Sequence, residues 1–283
     1  MEIATLLVSC PDRKGIVASL AQLLYGHGAN IVHSSQHTDE LAGMFFQRIR
    51  FDLGTLTSDP DTLEAKLRET AVDFSMTWRI AYAAQRQRVA IFCSKQEHCL
   101  YDLLIRHRAG ELPCTIAMVV SNHSDLEEVA RHFDVPFRHV QITPETKTYQ
   151  ETAMLDLLRS ANVELVVLAR YMQFLSEQFV AHYPSRIINI HHSFLPAFVG
   201  ANPYRQAYER GVKLIGATSH YVTADLDQGP IIEQETIRCT HGDSVEDLVR
   251  KGREVETRVL AAAVRLHLQD RILVYSNKTV VFH

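Results

Sequence analysis

The feature that most constrains the fold of this chain is a change of rhythm at residues 83–88, the polar and unpatterned stretch Ala83-Ala84-Gln85-Arg86-Gln87-Arg88. Before it, residues 3–9 form an apolar run rich in branched side chains, which predicts a buried strand. Pro11-Asp12-Arg13-Lys14-Gly15 is turn chemistry, and Ile16, Leu20, Leu23 and Leu24 follow at helical spacing until Gly26, Gly28 and Asn30 end the helix. Residues 31–38 and 44–53 predict two strands around a turn at 39–43. Leu63, Leu67, Ala71 and Phe74 lie on one face of a second helix, and residues 77–82 predict a last strand. The order βαββαβ is that of a ferredoxin-like α+β sandwich, with helices on one face of an antiparallel sheet.

Beyond residue 88 strands alternate with helices. Residues 89–93, 115–120, 163–168 and 186–190 are short apolar runs, separated by helical patterns at 98–107, 126–132, 152–161 and 175–182. Such alternation predicts an α/β domain with a doubly wound, mostly parallel sheet. Residues 213–222 and 229–240 read as a pair of strands at one side of that sheet. Asp243-Ser244 caps a long helix carrying Val245, Leu248, Val249, Val259, Leu260 and Ala263, and residues 272–282 read as a hairpin around Ser276-Asn277. Two domains are expected, residues 1–83 and 84–283.

Charge and cysteine usage narrow the function classes. A formal net charge of -4 gives no general attraction to nucleic acid or an anionic membrane. No apolar run reaches membrane-spanning length, and the start lacks a leader pattern. The five cysteines form no CxxC pair and read as reduced thiols of a cytoplasmic protein.

In open parallel sheets ligands gather beyond the carboxyl ends of the strands. The run Asn189-Ile190-His191-His192-Ser193-Phe194-Leu195-Pro196 is a strand end entering a loop. Asn189 and His191 are two apart on extended chain and project from one face; His192 is expected to face away. A second polar loop, His220-Tyr221-Val222-Thr223-Ala224-Asp225-Leu226-Asp227-Gln228-Gly229-Pro230, offers Asp227 at a corner closed by Gly229 and Pro230. An amide, an imidazole and a carboxylate suffice for acyl transfer or hydrolysis without a covalent intermediate: two donors for an oxyanion and a base to move the proton. His182, His191, His192 and His220 show no metal-ligand spacing, so no metal is expected. Lys95 and Arg170 read as surface or edge charges, and Met172 as a residue packed along a pocket.

These motifs closely resemble the folate-dependent formyltransferase family: Asn189-Ile190-His191, Ser193-Phe194-Leu195-Pro196, His220-Tyr221-Val222-Thr223 and Leu226-Asp227-Gln228-Gly229-Pro230. The resemblance implies that Asn189, His191 and Asp227 are catalytic and that His220 supports Asp227. It also implies that Met172, Gln173, Leu175, Asp225 and Gly229 surround the folate. Glycinamide ribonucleotide transformylases carry a glycine-rich phosphate loop after the first strand; here that place reads Cys93-Ser94-Lys95-Gln96-Glu97-His98-Cys99-Leu100. Methionyl-tRNA formyltransferases carry a basic barrel domain, of which this sequence shows no sign. The wording His191-His192-Ser193-Phe194-Leu195-Pro196-Ala197-Phe198-Val199-Gly200-Ala201 with Pro203-Tyr204 resembles instead the formyltetrahydrofolate deformylases. So does the first domain, whose Pro11–Val17 turn and Gly28-Ala29-Asn30-Ile31 resemble an ACT regulatory domain.

The resemblance implies hydrolysis of 10-formyltetrahydrofolate to tetrahydrofolate and formate, supplying formate for purine synthesis and balancing the one-carbon pool. It implies no permanently bound cofactor, a homo-oligomer, and neither nucleic acid nor membrane as partner. An amino-acid effector would meet Asp12, Arg13, Gly15 and Asn30. Two alternatives stand beside hydrolysis: formyl transfer to an amine, and a catalytically idle folate or amino-acid sensor.

Overall fold

The computed structural model describes residues 2–196 and 203–283, so that the stretch Ala197-Phe198-Val199-Gly200-Ala201 lies outside the described residues. Contacts divide the chain into two compact units. The first holds Met1–Arg86 with Asp270–Tyr275 and Val280–His283; the second holds Gln87–Gln269 with Ser276–Thr279. The sequence reading kept the whole tail with the second domain.

The first unit runs β1 (Ile3–Pro11), α1 (Ile16–Gly26), β2 (Asn30–Asp39), β3 (Met44–Asp52), α2 (Pro60–Phe74) and β4 (Thr77–Tyr82), the expected βαββαβ. Its antiparallel sheet has the order β2-β3-β1-β4. Gly15, at φ +97°, sits in the left-handed backbone region that glycine enters without strain, and α1 starts there. Asp59 caps α2, accepting from the Thr62 N–H at 2.8 Å, with Pro60 at the first helical position. Ile16, Leu20, Leu24, Leu63 and Leu67 cover one face of the sheet against Leu6, Val8, Ile49 and Phe51. Leu7 and Phe46 point to the other face and pack with Val280 and Phe282 of the tail.

The second unit contains β5 (Gln87–Cys93), α3 (His98–Arg108), β6 (Cys114–Ser121), α4 (Glu127–His132), β7 (Phe137–His139), α5 (Lys147–Ser160), β8 (Leu165–Ala169), α6 (Glu177–Ala181), β9 (Ile187–His191), α7 (Pro203–Arg210), β10 (Leu214–Tyr221), β11 (Ile231–Arg238) and α8 (Val245–Leu268). Strands β12 (Ile272–Tyr275) and β13 (Lys278–Val281) form the tail hairpin. The sheet order is β11-β10-β9-β8-β5-β6-β7, parallel from β9 through β7 and antiparallel at β10 and β11. β8 is buried at every position, as a strand covered on both faces must be. The chain reverses its direction of strand addition between β5 and β8, which places a crevice beyond their carboxyl ends. Ser244 and Asp247 form a capping box that starts α8.

Three elements differ from expectation. β7 is only three residues long and gave no readable run. α7 was not read, because its charged face outweighs its few apolar positions, Tyr204 and Ala207 among them. α5 begins at Lys147, several residues before the apolar spacing starts. Among the described residues no helix is long and apolar enough to cross a membrane.

Candidate active site

β9 carries Asn189 and His191 two positions apart, and His220 lies directly across from Asn189 on β10. Side chains at alternate positions of one strand, and at opposed positions of neighbours, share a face of the sheet. Asp227 comes from the loop between β10 and β11. That loop folds back on the end of β10: the Tyr221 N–H donates to the Pro230 carbonyl at 2.9 Å. A Cβ placed on Gly229 would overlap the Tyr221 carbonyl, so the close backbone approach requires glycine there. Asp227 takes a left-handed φ of +54°, which places its carboxylate over the two imidazoles.

Asp227 Oδ2 lies 3.3 Å from His191 Nδ1, and its Oδ1 lies 3.5 Å from His220 Nε2. Burial raises the Asp227 carboxyl, but the hydrogen bonds and charges of His191 and His220 outweigh it and hold the group below the ordinary carboxylate range. His220 Nδ1 lies 2.9 Å from the Tyr221 carbonyl, an acceptor, so that nitrogen carries the proton. Its Nε2 lies 3.5 Å from Asp227 Oδ1 and 3.3 Å from Asn189 Nδ2. The contact fixes the Asn189 amide beside His220. His191 is buried, with Nδ1 turned to Asp227, and its Nε2 has no hydrogen-bond partner among the described residues. The unpartnered His191 Nε2 and the part-buried Asn189 amide, two positions apart on one strand face, are of the chemistry that can donate to one developing oxyanion.

The strand and the following loop are held by groups that pattern reading missed. Buried Thr218 donates to the Ser193 carbonyl at 2.9 Å and accepts from the Leu195 N–H at 3.0 Å, and Gln234 Nε2 donates to the Leu195 carbonyl at 3.1 Å. Ser219 Oγ donates to the Asn189 carbonyl at 2.9 Å. Three consecutive polar residues, Thr218-Ser219-His220, inside an otherwise apolar strand were the available signal.

Of the residues assigned to folate, Met172, Gln173 and Leu175 occupy the segment leaving β8, while Asp225 and Gly229 belong to the loop that carries Asp227. Met172 is 58% exposed, not packed into the interior, and only its backbone is anchored, its N–H donating to Ser94 Oγ at 2.9 Å. Phe174, Phe194 and Leu226 are exposed apolar side chains on the segments leaving β8, β9 and β10. Large apolar groups left to solvent around a polar centre suit an aromatic ligand.

Two readings are corrected. His192 does not face away from His191: their ring centroids are 5.2 Å apart, because residue 192 lies past the end of β9, where strand alternation stops. Arg170 is not an edge charge. It takes φ +61° after β8, and its side chain, 14% exposed, reaches to 3.5 Å from Glu256. Lys95 is exposed, as expected.

The ACT-like residues are not gathered in one place. Asp12, Arg13 and Gly15 follow the end of β1, while Asn30 opens β2 at the opposite end of the sheet, since Asn30 and Ile3 both pair with Asp52. Arg13 is laid over the Phe74 ring, 4.1 Å from its centroid, and Asn30 N donates to Thr55 Oγ1 at 3.0 Å.

Residues 87–264 match the family model described as Formyl transferase, and residues 4–69 match that of the ACT domain. A protein of Synechocystis sp. named formyltetrahydrofolate deformylase is 54% identical over 279 residues, 99% of this chain and 98% of that protein. A crystal structure of a formyltetrahydrofolate deformylase from Pseudomonas syringae superposes with a TM-score of 0.97 at 49% identity, covering 100% of this chain and 95% of the other. The glycinamide ribonucleotide transformylase 1 of Symbiobacterium toebii superposes with a TM-score of 0.67 at 34% identity, over 71% of this chain and 97% of its own.

Proposed function

Because the chain belongs to the formyltetrahydrofolate deformylases, an ACT domain joined to a formyl transferase domain, we propose a hydrolytic mechanism carried by Asn189, His191 and Asp227. The reaction is hydrolysis of 10-formyltetrahydrofolate to tetrahydrofolate and formate. Water adds to the formyl carbon, and the oxygen of the tetrahedral adduct takes hydrogen bonds from the Asn189 amide and His191 Nε2. One such donor contributes roughly 3–4 kcal/mol to the transition state. Asp227 holds His191 by Nδ1 and accepts the proton of the attacking water, which passes to the folate nitrogen as its bond to carbon breaks. Proton transfer of this kind contributes about two to four orders of magnitude. His220 positions both Asn189 and Asp227.

The single observation that carries this reading is the convergence of Asp227, His191, His220 and Asn189 within 3.5 Å contacts on one face of the β9–β10 pair. Met172, Gln173, Leu175, Asp225 and Gly229 border the folate, with Phe174 and Leu226 as further apolar contacts. The experiment is Asp227→Asn, which abolishes turnover and leaves folate affinity nearly unchanged. If wild type and variant bound folate and were equally inactive, the idle-sensor reading would replace this one.

The rest of the proposal concerns setting. The five cysteines are all free and buried, which suits a reducing, cytoplasmic location. The ACT unit is the place for a small effector at the Asp12–Gly15 turn, and its exposed edge strand β2 suits pairing into a homo-oligomer. Formate released here is a one-carbon unit available to purine synthesis.

A further inference from the structure

A second buried polar cluster lies outside the catalytic set. Glu256, on α8 and 1% exposed, accepts from Tyr204 Oη at 2.5 Å and lies 2.7 Å from His98 Nε2. Arg170 Nε stands 3.5 Å from the same carboxylate, and the Cys99 thiol is part of the group. A histidine, a cysteine and a glutamate at this spacing resemble three metal ligands. The guanidinium beside them opposes a cation, and the carboxylate is already spent on Tyr204, His98 and Arg170. Glu256 is held by hydrogen bonds from Tyr204 and His98, while Arg170 Nε adds charge without a hydrogen-bond partner of its own among the described residues.

Its place in the fold gives it meaning. His98 follows β5 and Arg170 follows β8, the two strands between which the sheet reverses its order of addition, where open α/β sheets bind ligands. Here the crevice holds the chain's own side chains. The Tyr204 ring lies directly on α8 at Gly252, where any Cβ would overlap it. From Tyr204 the packing continues to His192, with ring centroids 6.3 Å apart, and from His192 to His191.

We propose that Tyr204, Glu256, His98 and Arg170 fill the acceptor side of the site beside His191 and exclude nucleophiles larger than water, which makes the reaction a hydrolysis. The inference rests on the catalytic roles proposed above and names what selects the acceptor. With water, a C–O bond forms at the formyl carbon, the C–N bond breaks, and the folate nitrogen takes the proton. With an amine, the same departure would leave an N-formyl amine in place of formate.

The test supplies methoxyamine, a small nucleophile unprotonated at neutral pH, together with 10-formyltetrahydrofolate, and measures N-formyl product against formate. Wild type is expected to give formate alone. Tyr204→Ala, or Tyr204→Leu if the alanine variant does not fold, is expected to give formylated amine at roughly tenfold or more above the uncatalysed background that wild type shows, the scale on which pocket size discriminates. Tyr204→Phe keeps the ring and is expected to stay at the wild-type ratio. The proposal is overturned if wild type formylates methoxyamine efficiently, or if a folded Tyr204→Ala or Tyr204→Leu enzyme does so no better than wild type. Failure of the hydrolytic reading is separately visible as no formate from wild type without amine.

Discussion

At the residue scale, the site depends on which protons are where. His192 is held down to about 4 by burial first and by the Arg170 charge second, against an ordinary 6.5. It therefore stays neutral beside His191, adding no like charge to a ring that must donate. Its titration also has a stability consequence. Between pH 6.5 and about 4 the unfolded chain binds a proton at His192 that the folded chain does not, so stability falls as the pH falls through that window. The loss is at most about 3 kcal/mol, and His192→Gln should flatten that part of the stability–pH curve measured by denaturant unfolding. Asp227 works in the same direction: a carboxyl held below its ordinary value stabilises the fold above that value and stops doing so as acid protonates it. Asn189→Ala should lower kcat by about two to three orders of magnitude with little change in folate affinity, as for loss of one oxyanion donor.

At the scale of elements, glycines mark where backbone and side chain must come close. Gly252 lies inside α8, where alanine would ordinarily add about 1 kcal/mol of helix stability. Because the Tyr204 ring occupies the space of its Cβ, Gly252→Ala should instead destabilise by about 1–3 kcal/mol in thermal unfolding. In a Tyr204→Ala background the sign should revert, a coupling that a double-mutant cycle measures directly. The strands that carry the candidate site were legible because their signals are strong: β9 is an apolar run with polar residues at alternate positions, and β10 an apolar run that carries Thr218-Ser219-His220 near its end. Pattern reading missed β7, which is too short for periodicity, and α7, whose charged face outweighs its few apolar positions. Arg170 read as a surface or edge charge because a buried ion-pair network joins residues far apart in sequence and leaves no local pattern. His192 was misdirected for a related reason, since alternation holds only while the strand lasts.

At the scale of the whole molecule, the two rhythms in the sequence correspond to the two compact units, and both topologies were legible from them. What was not legible is the tail. Residues 270–275 and 280–283 group with the first unit, where Val280 and Phe282 pack on Leu7 and Phe46. Arg48 Nε donates to the Asp270 carbonyl at 2.7 Å, and Arg79 pairs with the Asp270 carboxylate at 2.6 Å. Leu7 and Phe46 are fully buried, so ending the chain after Gln269 would expose both. The first unit should lose about 3–6 kcal/mol by area transfer, seen as earlier unfolding and faster proteolysis of residues 1–86. The ACT unit also makes its own prediction. If it senses an amino acid, the deformylation rate measured across the twenty amino acids will respond to one or a few of them; a flat profile would leave assembly as its role.

The central proposal is that Asn189, His191 and Asp227 act together on one formyl carbon. The most direct measurement is incubation of the protein with 10-formyltetrahydrofolate alone in ¹⁸O-labelled water. The account predicts equimolar tetrahydrofolate and formate, with one labelled oxygen in each formate. No formate from the protein and folate alone, with tetrahydrofolate released only when an added amine is formylated, would contradict it.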